Sequence, residues 1–333
     1  MGGSYMAEGR VASLAEGALM AALAAVLVLS GYFIPPLQLL TNIVWTVPIV
    51  VLVVRQNLRL GLMATFIAGV VIALFTGPVN AVLLFAQFAA LGLVYGYLFK
   101  IKAGAGRMIT VGAVVSLLSL LLSLALTFKL TGMAAGGLIQ QLEGTVNSAM
   151  DFYRRAGILD HLVGQGLTPE QIQASLQEML NLLKLLLPGV LMTASLLAAF
   201  INYLVAERVL RRLGLLAAGL PPFRLWQLPW YAIWGVIAGL GLWQLGDYYH
   251  LDLASRLGVN ILYVYIPLLA GNGLAAIIFI LERFKVTPFL KVALVVAALI
   301  NIPVTLISLV TLGVFDPFFN YRRRFLPPSG KGE

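Results

Sequence analysis

The sequence has no cysteine and only two histidines, His161 and His250, among its 333 residues. A chain without cysteine forms no disulfide, offers no thiolate to a metal and has no cysteine nucleophile. The two histidines lie in different predicted loops, whereas a zinc site draws three or four ligands together. The sequence therefore predicts no metal site and no bound cofactor.

Catalytic motifs are missing as well. The sequence contains no HExxH, no G-x-S-x-G, no phosphate-binding loop and no pair of carboxylates on one face of a predicted helix. Each of these patterns brings a nucleophile, a general base or an anion-binding backbone to one place. We therefore predict that the protein is not an enzyme, and we assign no catalytic residue.

Charged residues are scarce, at 11% of the chain, and hydrophobic residues make up 61%. Soluble proteins carry about 25% charged residues, so this composition predicts an all-α polytopic membrane protein surrounded by the lipid bilayer. The net charge of +9 falls mostly in short loops between apolar runs. There it sets the orientation of the helices, so it does not indicate a nucleic-acid partner.

The apolar runs predict about nine transmembrane helices, because a bilayer core takes about 20 helical residues. Lys and Arg concentrate in alternate loops, which places the N-terminus and the central linker in the cytoplasm. The chain then divides into a cytoplasmic tail (1–12), a six-helix membrane unit (13–212), a cytoplasmic linker (213–228), C-terminal membrane helices (229–316) and a basic tail (317–333).

Residues 131–184 are expected to form an amphipathic helical pair outside the cytoplasm. Apolar residues recur at helical spacing from Leu138 to Tyr153. The second helix begins at Thr168, where Thr168-Pro169-Glu170-Gln171 has the pattern of a capping box with proline at the first helical position.

The last apolar run, 289–315, is long enough for one tilted crossing and too short for two. We expect Pro303 to kink it, which leaves the C-terminus outside; a re-entrant segment would leave it inside. The three arginines that follow, Arg322, Arg323 and Arg324, are expected to contact lipid headgroups.

Small residues recur along one side of the first helix. In lipid, helices associate by close packing of small residues rather than by the hydrophobic effect. We therefore predict an interface with a membrane partner subunit at Gly17, Ala18, Ala21, Ala22 and Ala25. Glu16 is the single acid in this apolar run, and an acid within a membrane helix is a functional candidate. The alternative is that Glu16 reaches the membrane surface.

Polar residues inside the other apolar runs have two interpretations. They bond between helices, as amides in membrane helices commonly do, or they line a cavity for a small molecule. The residues are Asn42, Asn80, Gln87, Asn202, Asn260, Asn272 and Asn301. We select Asn80, Gln87, Asn202 and Asn272 as candidates for a ligand pocket.

Three stretches, residues 15–22, 221–226 and 313–316 with the basic end 321–324, resemble the YybS-like bacterial membrane proteins, a family of uncharacterised proteins that contain a domain of unknown function. This resemblance extends over nearly the whole chain. It implies a multi-pass protein of the bacterial inner membrane.

A second resemblance covers helices 1 to 6. They look like the S component, the substrate-binding subunit, of energy-coupling-factor (ECF) vitamin transporters. That family has six membrane helices and an Ala-xxx-Ala face on helix 1 that docks onto a coupling subunit; Ala18 with Ala22, and Ala21 with Ala25, match it. The resemblance implies binding or uptake of a small molecule. The alternative function is a membrane scaffold without a transported ligand.

Overall fold

The computed structural model describes residues 2–132, 137–157, 168–215 and 220–319. Within these ranges the regular elements are helices, and no strand occurs. Seven of the described helices are long and apolar enough to cross a membrane. The helices form two compact units: an N-terminal unit of Met1–Leu180 with Ala194–Gly219, and a C-terminal unit of Asn181–Thr193 with Leu220–Glu333.

The N-terminal unit is built mainly from the first seven helices. These are α1 (Gly2–Phe33), α2 (Gln38–Val44), α3 (Thr46–Arg55), α4 (Leu58–Thr76), α5 (Pro78–Lys100), α6 (Ala105–Thr131) and α7 (Gly137–Arg155). Helix α3 is at its centre, since all residues from Thr46 to Val53 are buried and α3 packs against α1, α4 and α5.

The second predicted membrane helix, near 39–54, is divided into α2 and α3. Proline lacks the N–H of a helical hydrogen bond and clashes with the carbonyl four residues earlier. Pro48 stands four residues after Val44, and the helix breaks between them, at Trp45. We expected only a kink at Pro48.

Helix α8 (Pro169–Arg212) is one helix of 44 residues, roughly 66 Å at 1.5 Å per residue. Its predicted capping box is confirmed: the Gln171 N–H donates to Thr168 Oγ1 at 3.2 Å, and the Thr168 N–H donates to Gln171 Oε1 at 2.9 Å. The sequence suggested a separate membrane helix starting near residue 186, but α8 continues through Pro188. Residues 181–193 of α8 belong to the C-terminal unit.

The rest of the C-terminal unit contains α9 (Ile233–Tyr248), α10 (Asp252–Arg283), α11 (Pro288–Ile300) and α12 (Ile302–Phe319), with 3₁₀ turns at Phe223–Leu225 and Trp230–Ala232. Helix α10 is its centre, because both α9 and α12 pack against it. The seven long apolar helices are α1, α4, α5, α6, α8, α10 and α12. The two remaining predicted crossings correspond to α2–α3 and to α9, whose 16 residues are fewer than a bilayer core takes.

The last apolar run is divided rather than kinked. Helix α11 ends at Ile300, and Asn301 has non-helical backbone angles (φ −128°, ψ 70°). The Asn301 side chain then accepts a hydrogen bond from the Val304 N–H at 3.3 Å, which caps the start of α12. Pro303 lies in the first turn of α12, where its missing N–H has no helical partner to lose. The break therefore precedes Pro303.

Candidate functional site

Helices α10 and α12 touch through their backbones. A Cβ atom placed on Gly313 would overlap the carbonyl oxygen of Leu269, and one placed on Gly273 would overlap that of Leu309. Only glycine allows this distance. Because Gly313 faces Leu269 and Leu309 faces Gly273, the two helices run in opposite directions at this crossing.

An irregular segment lies beside the second half of α10. Arg224 pairs with Glu282 near the end of α10, and the Leu228 N–H donates to Asn272 Oδ1 at 3.2 Å, ten residues further back. The Tyr265 hydroxyl then lies against Gly235 in α9. The sequence analysis placed 213–228 in a cytoplasmic linker, which stays a prediction; in the structure, residues 224–228 run alongside the second half of α10.

Asn272 supports two interruptions of helical structure. Pro317 has no N–H, so it cannot donate to the carbonyl of Gly313, four residues earlier. Asn272 Nδ2 donates to that carbonyl at 2.9 Å, while Asn272 Oδ1 accepts the Leu228 N–H. Both halves of this amide thus serve backbone groups. The contacts fit the alternative interpretation of Asn272 better than a role as a ligand residue.

Asp316 is the buried carboxyl of this region, with 0% of its surface exposed. Its backbone carbonyl accepts a hydrogen bond from Gln227 Nε2 at 3.4 Å. Since Gly313 faces Leu269 and α12 runs opposite to α10, Asp316 is level with residues 265–266. That level is close to the midpoint of α10, which spans Asp252–Arg283.

Sequence reasoning missed Asp316. It is the last residue of the predicted C-terminal membrane helices (229–316), before three arginines, and we assigned it no functional role. The available signal was an acid between Phe315 and Phe319 within an apolar helix. The sequence could not show that Asp316 would be level with the middle of α10 or that its side chain would be fully buried.

A second asparagine satisfies another proline break in the same unit. Pro188 interrupts the hydrogen bonds of α8. Asn260 of α10 accepts the Gly189 N–H at 2.7 Å and donates to the Leu185 carbonyl at 2.9 Å. These two backbone groups adjoin the Lys184 carbonyl, which Pro188 leaves without its helical donor, so the amide bonds to the backbone beside the break.

The candidate pocket residues of the N-terminal unit lie in separate clusters. Asn80 donates to the Tyr32 hydroxyl at 3.2 Å and to the Thr76 carbonyl at 2.8 Å. Asn202 accepts from Thr46 Oγ1 at 2.8 Å, and Gln87 is half-buried. A groove of about 820 Å³ lies along α4, α5 and α6, but its lining includes none of these residues. Its lining side chains are apolar apart from Ser119, which suits lipid chains.

Glu16 has well-defined partners at one end of the N-terminal unit. Its carboxylate pairs with Arg55 at 3.0 Å and accepts from Gln56 Nε2 at 2.6 Å. Lys100 donates to the carbonyls of Val53 and Gln56 in the same turn. These contacts stabilise the turn between α3 and α4. They also account for the presence of an acid in an apolar helix, so no ligand is needed to explain Glu16.

Only part of the predicted partner interface on α1 is exposed in the structure. Gly17, Ala21 and Ala25 are buried, and the two alanines belong to the core that α1 forms with α4. Ala18 and Ala22 are exposed. An interface with another protein therefore stays a prediction for Ala18 and Ala22 only. Arg322, Arg323 and Arg324 lie outside the described residues.

Comparison with known proteins identifies the family of this chain. Residues 22–317 match the family described as "Predicted membrane protein (DUF2232)". The chain belongs to this family. The "Uncharacterized protein YybS" of Bacillus subtilis (strain 168) is 24% identical over 323 residues, which cover 94% of this chain and 98% of that protein. No solved structure matches. The resemblance to YybS-like proteins is thus confirmed, and the DUF2232 match includes Gly313, Asp316 and Pro317.

Proposed function

We propose that this DUF2232 protein is a non-enzymatic transport protein of the bacterial cell membrane that binds a small solute in its C-terminal unit. One observation carries the proposal: an irregular segment lies beside the second half of the apolar helix α10, and the fully buried Asp316 is level with the midpoint of that helix. Helices interrupted at mid-span, with polar backbone and a buried charge-bearing group, are typical of the solute sites of secondary transporters.

An interrupted helix leaves backbone groups without their helical hydrogen-bond partners, which is unfavourable within a membrane. Irregular backbone at membrane depth is tolerated only where protein or a cavity satisfies it. In the C-terminal unit, Asn260, Asn272 and Gln227 all bond to backbone groups around such interruptions. Continuous helices would bury the same apolar surface without these amides, so packing alone does not account for the arrangement.

The sequence has no phosphate-binding loop. We therefore do not propose that this chain itself uses a nucleotide to supply the energy for transport. The exposed pair Ala18 and Ala22 leaves a small-residue surface for a membrane partner subunit, as the S-component resemblance implies. An S-component-like arrangement of α1 to α8, with nine crossings in all, belongs to this proposal.

A scaffold without a ligand is the second candidate. Helix α7 is amphipathic, and Phe152 and Tyr153 are 63% and 42% exposed beside Arg154 and Arg155. Such a helix binds a membrane surface or a partner through its apolar side. This observation concerns α7 alone and leaves the interrupted helices of the C-terminal unit unexplained.

The test compares the detergent-purified protein with its Asp316→Asn variant. Native mass spectrometry would detect a retained small molecule, and a thermal-shift panel of water-soluble vitamins, amino acids and nucleosides would detect added ones. We expect at least one class to stabilise the wild type and to bind the variant more weakly. Absence of binding in both measurements would contradict transport and favour the scaffold.

A further inference from the structure

We infer that the groove along α4, α5 and α6 binds one anionic phospholipid, with its acyl chains in the groove and its phosphate at the basic end of the N-terminal unit. The basic end is the end that carries Arg59, Lys102 and Arg107. Ligand pockets typically have volumes of about 300–1,000 Å³, and this groove has about 820 Å³. The inference concerns the N-terminal unit alone and is independent of the proposed solute site.

The shape of the groove fits hydrocarbon chains. Ala81 and Ala89 of α5 and Ser119 of α6 line its buried part. Phe66 of α4 and Leu118 of α6 are 67% and 60% exposed, and they line its rim. Small side chains inside and large ones at the edge make a furrow between the helices rather than a flat surface.

A furrow of this kind does not by itself select a lipid. Hydrocarbon in a bilayer is already in an apolar environment, so no hydrophobic effect drives an acyl chain into the groove. Packing contacts alone would let any lipid exchange there. A lasting site therefore requires a second attraction, which the headgroup has to supply.

Three helix ends meet at the basic end. Lys100, the last residue of α5, donates to two backbone carbonyls in the turn before α4. Only residues 101–104 separate α5 from α6. The start of α4, the end of α5 and the start of α6 are therefore neighbours, which places Arg59 at the same end as Lys102 and Arg107.

The charge at this end complements a phosphate. Arg59, Lys102 and Arg107 are exposed, and Leu62 of the groove lies one helical turn from Arg59. Residues 17–142 include six basic residues and no acidic residue, so α4, α5 and α6 offer these cations no carboxylate. Basic residues between membrane helices at the bilayer surface bind anionic lipid headgroups.

Acids on the neighbouring helices have other partners. Glu16 of α1 pairs with Arg55, and Glu207 of α8 pairs with Arg211. An external anion therefore suits the basic end. A phospholipid brings this anion on hydrocarbon chains, so it matches the charge and the groove together, whereas an acidic peptide or free phosphate would match the charge alone.

The experiment is native mass spectrometry of the full-length protein in detergent, titrated with phosphatidylglycerol or with phosphatidylcholine of the same acyl chains. We expect one phosphatidylglycerol to bind about tenfold more tightly than phosphatidylcholine, because several basic residues attract its headgroup. Arg59→Gln with Arg107→Gln should remove most of this preference. The control Lys129→Gln with Arg155→Gln removes the same charge but leaves the basic end intact, so it should keep the preference.

A second pair of variants tests the groove. Ala90→Phe fills the groove at an exposed lining residue and should weaken phosphatidylglycerol binding several-fold. Ala22→Phe places the same side chain at an exposed position of α1, outside the groove, and should bind as the wild type does. Leu118→Ala removes a rim side chain without adding volume, and it should also weaken binding. Thermal unfolding of each variant checks that it is folded.

Four results would overturn the inference. Equal binding of the two lipids by the wild type would show that the basic end selects no headgroup. An equal loss in both charge variants would show a general effect of net charge. Wild-type binding by both folded groove variants would place the acyl chains elsewhere. A dimer that Ala90→Phe disrupts and phosphatidylglycerol does not affect would show that a second copy of the chain occupies the groove.

Discussion

The two units of this protein bring their helices together by different means. In the N-terminal unit, Ala21, Ala24 and Ala25 of α1 are buried with Ala64 and Ala68 of α4. In the C-terminal unit, Gly273 and Gly313 let backbone touch backbone. Alanine surfaces allow small changes of distance, whereas backbone contact at glycine allows none.

The units also use their buried amides differently. Asn202 in the N-terminal unit joins two side chains, since it accepts a hydrogen bond from Thr46. Asn260 and Asn272 in the C-terminal unit bond to backbone groups beside Pro188 and Pro317. The two amides of the second unit thus bond to backbone at proline positions, whereas Asn202 of the first unit bonds to Thr46; both units contain a helix break, at Trp45 in the first and at Asn301 in the second.

The largest expected effect is at the glycine crossing. Gly313→Ala should destabilise the protein by about 3 kcal/mol, because the new methyl group overlaps the Leu269 carbonyl and the helices must separate. Thermal and denaturant unfolding in detergent would measure this. Gly271→Ala on the facing helix α10, and Gly17→Ala in the N-terminal unit, place a methyl group in open space and should be nearly neutral. Equal effects at all three positions would remove the contrast between the units.

The second effect concerns amides that replace helical hydrogen bonds. Asn260→Leu leaves the Gly189 N–H and the Leu185 carbonyl without the amide, and should cost about 1–3 kcal/mol. Pro188→Ala supplies the N–H that the Lys184 carbonyl lacks and lets the adjoining turn tighten, so that the Gly189 N–H bonds to the Leu185 carbonyl; Asn260→Leu should therefore cost less in that background. A double-mutant cycle of unfolding free energies would measure the coupling. Strictly additive effects would show that Asn260 acts independently of the break.

Glu16→Gln should have a smaller effect, at most about 1 kcal/mol, because the partner Arg55 is half exposed and such ion pairs contribute little. The glutamine keeps an acceptor for Gln56. Unfolding measurements at low and high salt would check this expectation. A larger loss, or a loss of solute binding without a loss of stability, would show that Glu16 has a function beyond holding the turn.

The smallest effect on stability is expected on the outer side of α1. Ala18→Leu with Ala22→Leu should change the unfolding free energy by about 0.5 kcal/mol or less, as exposed substitutions commonly do. It should still weaken association with any membrane partner that copurifies with the wild type. Ala21→Leu is the matched control, because Ala21 is buried; it should destabilise the protein itself. Copurification and unfolding would be measured on all three proteins.

The sequence predicted the helical class and the start of α8 well, because hydrophobic run length and the Thr168 capping box are local signals. Local signals gave wrong or incomplete predictions where packing against neighbouring helices determines the structure. Which alanines of α1 are buried depends on the position of α4, and burial of Asp316 depends on where α12 crosses α10. The break at Asn301 rather than at Pro303 depends on a cap that competes with continuation of the helix.

The pairing of asparagine with proline also has an evolutionary consequence. Pro317 and Asn272 lie on different helices, yet the Asn272 amide donates to the carbonyl that Pro317 leaves without a donor, and Asn260 bonds in a similar way to the backbone next to Pro188. A descendant that loses the proline no longer needs the asparagine, while loss of the asparagine first would expose an unfavourable break. Across the DUF2232 family, each pair should therefore be gained and lost together, with the asparagine arriving before its proline and leaving after it.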